Sequence, residues 1–285
     1  MDKNKYVIAK ATGDTETFSE KKLNHHLQNH GITGDLADSA IKNLESNINK
    51  IHSTDDIYHN ISNYLKQQGA TEQYFSYSLR RAVNQLGPTG HPFEYLVSEV
   101  LASQGYKTEV GVVALGKCVT HEIDVVAATN NDQYFIECKF HNSNGTKTDI
   151  QVALYTYARY LDVKFAMEKI HGTQTNYHSW LITNTKVTSE VFDYGECNNV
   201  KITAWYYPEN EGLSDLIIKS KLHPVTILYN LSPKKINEII NRNIVTITSL
   251  KQAIKTHSVD DILTKTDIEQ FKKDIKCLES DEPCD

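Results

Sequence analysis

Between Thr120 and His141 the chain gathers acids and a lysine at a spacing suited to holding a cation beside a water molecule. Successive side chains of a β-strand point to opposite faces, so Glu137, Lys139 and His141 share one face and Ile136, Cys138 and Phe140 the other. On the preceding strand Glu122 and Asp124 share a face, opposite to Ile123 and Val125. With Asn130-Asn131 as a two-residue turn, as asparagine's tolerance of positive φ suggests, Asp124 lies directly beside Glu137 and Glu122 beside Lys139. Like charges opposed across a ladder repel. A divalent cation bound by Asp124 and Glu137 relieves that repulsion, and an all-oxygen set with retained water suits Mg2+ or Mn2+. The backbone carbonyl of Cys138 is a further candidate ligand. Lys139 can then orient an attacking water or stabilise charge growing on phosphorus, while the cation lowers that water's pKa. His121 points away from the carboxylate face in this register, and His141 ends the strand as a solvated histidine.

The elements that must position these groups follow from periodicity. Pro92 suits the first position of a helix whose stripe is Phe93, Leu96, Val97, Val100 and Leu101. Strands are expected at 106–115, 119–128 and 133–141, then a helix at 149–161, and strands at Trp180-Leu181-Ile182 and 200–205 around a helix near 187–196. That order predicts the α/β class, a mixed sheet with helices on both faces, spanning 87–223. Residues 1–86 read as a small, mostly helical unit headed by a hairpin around Thr12-Gly13-Asp14, with Ser53-Thr54 as a helix start. The cluster Leu86-Gly87-Pro88-Thr89-Gly90 marks the boundary. Residues 224–278 form a short helical region whose segments 234–241 and 249–255 resemble a helix-hairpin-helix, a backbone-binding module or else a structural cap. The acidic stretch 279–285 is expected to be a disordered tail.

Asp124 followed by Glu137-Cys138-Lys139 on the next strand resembles the PD-(D/E)xK nuclease superfamily, in its Mrr-type restriction endonuclease-like branch. The resemblance implies a Mg2+- or Mn2+-dependent endonuclease acting on DNA, with Glu94 on the first helix as an additional carboxylate. It also implies a site role for Gln151, which with Tyr155 forms a Gln-x-x-x-Tyr pair on one helix face. Ile123 stands where the motif's proline would be.

Residues 5–83 resemble the ATP-cone, a regulatory nucleotide-binding domain, through Val7-x-x-Lys10-x-x-Gly13, Glu16-x-Phe18, Lys22, Ser53-Thr54-x-Asp56-Ile57 and Tyr77-x-x-Arg80-Arg81-Ala82. That resemblance implies ATP or dATP as an effector, with Lys10 and Lys22 on the phosphates and Thr54 near the base. Ala11 and Thr12 depart from the family's usual Arg and Asp or Asn. No Walker A sequence occurs, so ATP hydrolysis as a power source is not indicated.

Composition bounds these readings. Hydrophobic residues make up 39% and charged residues 23% of the 285, a globular balance. The net charge of −6 requires any nucleic-acid contact to come from a local basic surface. Cys118, Cys138, Cys197, Cys277 and Cys284 include no C-x-x-C pair and read as free thiols. No apolar run matches a bilayer and Met1–Lys5 lacks a signal sequence, so the expectation is a cytoplasmic protein without a membrane span; DNA and nucleotide as partners are what the two resemblances imply, with self-association into a homo-oligomer left open. The competing readings are an RNase with the same metal chemistry and a non-catalytic, nucleotide-sensing regulator that binds nucleic acid.

Overall fold

Local signals build the N-terminal unit. A computed structural model describes residues 6–10, 13–142, 145–172 and 174–279; Ala11, Thr12 and residues 280–285 of the expected tail lie outside them. The ribbon of β1 (Val7–Ala9) and β2 (Thr15–Thr17) turns through Gly13, whose φ of 87° only glycine adopts readily. Four helices follow, α1 (Glu20–Gln28), α2 (Gly34–Ser46), α3 (Thr54–Gln67) and α4 (Thr71–Asn84). Ser53 caps α3 as expected: its hydroxyl accepts the Asp56 N–H at 3.1 Å, and the Asp56 carboxylate accepts the Ser53 N–H at 2.9 Å. The Ala9 N–H donates to the His52 carbonyl at 2.9 Å, which ties the ribbon to the head of α3.

The expected mixed sheet follows α5 (His91–Ser103), whose apolar stripe from Phe93 to Leu101 is buried. Its strands are β3 (Lys107–Leu115), β4 (Thr120–Ala128), β5 (Asp132–Lys139), β7 (Asn176–Thr183) and β9 (Val200–Thr203), adjacent in that order, with β6 (Lys147–Thr148) and β8 (Lys186–Val187) forming a separate two-stranded sheet. β3, β4 and β5 are antiparallel, whereas β5, β7 and β9 run parallel. A parallel β5/β7 pair needs a crossover, and α6 (Ile150–His171) supplies it. The chain beyond β5 enters α6 after β6. α5 packs on one face of the sheet; α6 and α7 (Ser189–Asn198) pack on the other.

Three expectations change. α6 has 22 residues rather than ending at 161, because Val163 and Met167 continue its apolar stripe until Gly172 adopts a φ of 74°. The Asn130-Asn131 turn forms, with the Thr129 N–H donating to the Asp132 carbonyl at 2.8 Å, but neither asparagine has a positive φ. The Asp132 N–H instead donates to the Thr129 hydroxyl at 3.1 Å, which closes the turn without a left-handed residue. Finally, strict alternation breaks on β4. Val125 and Ala127 pack toward α5, yet Ile123 joins Val126, Phe135 and Val163 toward α6. The β3/β4 pairing runs from Val110↔Val125 to Val112↔Ile123 and skips Gly111 and Asp124. Gly111 has a φ of 65°, and this glycine lets the hairpin rotate at Asp124.

The C-terminal region comprises α8 (Leu213–Ser220), α9 (Pro233–Ile240), α10 (Ile247–Lys255) and α11 (Lys265–Glu279). One continuous core joins Leu65, Phe75 and Val83 of the N-terminal helices to Phe93 and Val97 of α5 and to Ile239, Leu250 and Phe271 of this region. The Tyr74 hydroxyl donates to the Ile227 carbonyl at 3.2 Å, and the Thr246 hydroxyl to Glu99 of α5 at 2.5 Å. No helix of the described residues is long and apolar enough to cross a membrane.

His223 sits at this junction, 5% exposed and edge-on to Phe75, with no hydrogen-bond partner for its Nδ1 among the described residues. Burial lowers its pKa from 6.5 to about 4, against the Lys221 backbone, and His30 shifts to about 4 chiefly for the same reason. The unfolded chain then takes up protons that the folded chain refuses, so stability is full above the unfolded value and falls as pH drops toward the folded one. We expect His223 alone to account for about 2 kcal/mol lost between about pH 7.5 and about pH 5. Urea unfolding at both pH values checks this: His223→Phe should flatten the loss relative to the wild type, and equal losses would contradict it.

Candidate active site

The β4/β5 ladder ends at Val125↔Ile136, and the next step of the same register is Asp124 beside Glu137. β5 continues on β7 as far as Lys139↔Thr183, but β4 does not follow it. Glu122 pairs with Val113 on β3 and is exposed, so the expected Glu122–Lys139 pairing is absent: β4 turns away at Asp124. The Cys138 N–H is left without a strand partner on that side and donates to Asp124 Oδ2 at 2.7 Å. Burial, then Glu137's charge with Glu94 behind it, pushes the Asp124 carboxyl up to about 7, while the Cys138 N–H and Arg159 favour its charged form. Burial also raises Glu94, opposed by His91 Nδ1 at 3.1 Å; Glu122 and Glu137 add to the rise. Glu94 stands in the first turn of α5, from where its charge acts on both members of the pair.

Glu137 is gripped from the other face. The Tyr155 hydroxyl donates to its Oε1 at 2.8 Å and Arg159 Nη1 to its Oε2 at 2.6 Å. Burial and then Glu137's charge raise the Tyr155 pKa, so the phenol remains a donor. Further along α6, Asp162 accepts the N–H groups of Cys118 and Val119 at 2.9 and 3.3 Å and contacts His121 Nε2 at 2.8 Å. The bond to His121, helped by those N–H groups, holds the Asp162 carboxyl down to about 2. A Cβ on Gly116 would stand 2.0 Å from Asp162 Oδ2 and 2.5 Å from the Val119 carbonyl, so this loop needs glycine. His121 accordingly faces α6, the Glu137 side, rather than pointing away; the rotation at Asp124 moves it there.

Lys139 is half-buried at the end of β5 and makes no ion pair with the carboxylates among the described residues. Burial, then the charge of Lys139, lowers the pKa of His141. Asn184, fully buried, accepts the His141 N–H at 2.9 Å and donates to the His141 carbonyl at 2.8 Å and to Asn84 of α4 at 2.9 Å. This amide fixes the strand end that carries Lys139. The Cys138 thiol is buried on the α5 side and burial raises its pKa well above the ordinary range, so only its backbone is available to a cation. Gln151 lies exposed in the first turn of α6, where its backbone N–H donates to Asp149 at 3.0 Å. Among the described residues no group of three or more His, Cys, Asp or Glu is arranged to hold a metal.

The restriction endonuclease model Mrr_cat matches residues 87–208. An uncharacterized protein of Archaeoglobus fulgidus is 40% identical over 149 residues, which cover 52% of this chain and 80% of that protein. Residues 87–208 of this chain belong to the restriction endonuclease family. A crystal structure of AF1548, a protein of unknown function, superposes with a TM-score of 0.55 at 32% identity over 67% of this chain and 98% of that one. Within the restriction endonuclease domain, Arg159, Asp162 and Asn184 are the residues that sequence reasoning missed. Arg159 had a signal: Gln151, Tyr155 and Arg159 recur every four residues on one helix face. Asn184 had none, since a buried amide is defined by strands far apart in sequence.

At the N-terminus, Lys10 and Lys22 both reach Glu16 Oε2, at 3.0 and 2.8 Å. The bond to Lys22, then that to Lys10, lowers the Glu16 pKa. Thr54 is exposed at the first position of α3, next to Ser53, which forms a parallel bridge with Ala9. The structure thus brings Lys10 and Lys22 together and sets the ribbon beside the start of α3.

Proposed function

We propose that this chain is a metal-dependent DNA endonuclease whose activity or assembly responds to ATP or dATP at its N-terminal unit. The observation that carries the nuclease reading is the pair Asp124 and Glu137 at the parting of two strands, with Glu94 behind them. Buried like charges are costly unless a cation compensates them, and three oxygen donors suit Mg2+ or Mn2+. Asp124, Glu137 and the Cys138 carbonyl are the residues that would hold the ion. Bound there, it supplies charge neutralisation on a phosphate and a more acidic water. The chain's own residues do the rest: Lys139, on the next site-facing position of β5, orients the attacking water and stabilises charge developing on phosphorus. Glu94 supports Asp124 from α5. Gln151, exposed at the start of α6, is free to contact a sugar or phosphate of the substrate.

The convergence of Lys10 and Lys22 on one carboxylate oxygen supports an anion site in which Glu16 occupies the place of a phosphate oxygen. A nucleotide that bound one assembly more tightly than another would shift the population between them.

Two outcomes are expected. Lys139→Ala should abolish cleavage of plasmid DNA with Mg2+ or Mn2+ while calorimetric metal binding stays near that of the wild type, whereas Asp124→Ala should lose both; wild-type cleavage by Lys139→Ala would reject the assignment. For the nucleotide, the full chain is the right sample because its N-terminal helices share a core with the remainder. ATP or dATP should bind with saturating heat and alter size by light scattering or cleavage rate, and Lys10→Ala and Lys22→Ala should weaken binding. Absence of heat and of any change with either nucleotide would leave this unit without a ligand role.

A further inference from the structure

Both oxygens of Glu137 are engaged by one helix, by Tyr155 at 2.8 Å and Arg159 at 2.6 Å. The Glu137 side chain is 11% exposed and that of Arg159 28%, so the pair is largely screened from water while the guanidinium retains a path outward. Among the described residues Glu137 has no other ion-pair partner and Asp124 has none. Arg159 also lies 5.6 Å from the centroid of the Tyr155 ring, an aromatic surface along which a planar guanidinium can move.

We propose that Arg159 is an exchangeable counter-cation: it neutralises Glu137 in the metal-free protein, competes with a divalent cation for that carboxylate, and once displaced turns its guanidinium toward a phosphate of bound nucleic acid. The proposal rests on the metal-dependent reading above. Arginine cannot shed its charge by losing a proton, so a cation arriving at Glu137 meets a permanent positive neighbour at the short range that one carboxylate imposes. Release relieves that repulsion. The released group carries planar paired donors that match a phosphate better than an ammonium would. A fixed role would give the opposite sign: were Arg159 a brace that aims Glu137 at the ion, removing it would weaken metal binding.

Calorimetric titration of the full chain with Mn2+ separates these signs. Arg159→Gln should bind Mn2+ about tenfold more tightly than the wild type, equivalent to about 1.4 kcal/mol, and its metal-free form should melt lower. Arg159→Lys, which keeps a charge, should fall between them and carries the comparison if the glutamine variant does not fold. A DNA duplex titrated in Ca2+ should bind Arg159→Gln more weakly than the wild type. Equal or weaker Mn2+ binding by both variants overturns the competition while leaving the metal site standing. Tighter Mn2+ binding with unchanged duplex affinity overturns the phosphate contact. No Mn2+ binding by the wild type or either variant overturns the metal reading and this proposal together, whereas binding by the variants alone is competition in its strongest form.

Discussion

Asp124 and Glu137 stand next to one another at the last step of the β4/β5 ladder, both drawn largely out of water, and their mutual repulsion is the constraint on which the surrounding structure depends. An uncompensated pair of this kind would destabilise the sheet end. Three devices hold it. The Cys138 N–H, freed where β4 turns aside, binds Asp124; Tyr155 and Arg159 bind Glu137; and burial shifts the Asp124 carboxyl toward its neutral form. Each is reversible, as the proposed binding of a cation here requires.

The rest of the domain explains why the strands part at this position. Gly111 opposite Asp124 permits the rotation, and beyond it His121 and Ile123 face α6 instead of α5. Asp162 then fastens the far loop of the β3/β4 hairpin to α6 through Cys118, Val119 and His121, with Gly116 leaving room for the carboxylate. One helix therefore holds both the Glu137 carboxylate and the displaced arm of β4. On the opposite side Asn184 clamps the end of β5 and reaches Asn84, so the strand that bears Lys139 is tied directly to the N-terminal helices. This contact and the common core give any ligand of the N-terminal unit a physical route to the site.

Much of this was legible in the sequence. The order of helix and strands, the stripe from Phe93 to Leu101, the Asn130-Asn131 turn and the Asp124–Glu137 register all follow from period-two and period-3.6 patterns, because those patterns report local geometry. The change of face at Asp124 was not, since alternation presumes a regular pleat and a single glycine on the neighbouring strand undoes it. The partner of Glu137 was half legible: Gln151 and Tyr155 mark the helix face, but the next residue in that series, Arg159, makes the ion pair while Gln151 remains in solvent. Nor could Leu86-Gly87-Pro88 reveal that the helices on either side share one core, which depends on contacts such as Tyr74 with Ile227 across the chain.

The central claim, that the carboxylate pair is a cation site, is tested most directly by anomalous diffraction at the manganese edge from crystals of the full chain soaked in Mn2+. The account predicts a peak bounded by Asp124, Glu137 and the Cys138 carbonyl. A Glu137 still held by Tyr155 and Arg159, with no manganese beside Asp124 at saturating Mn2+, would contradict it.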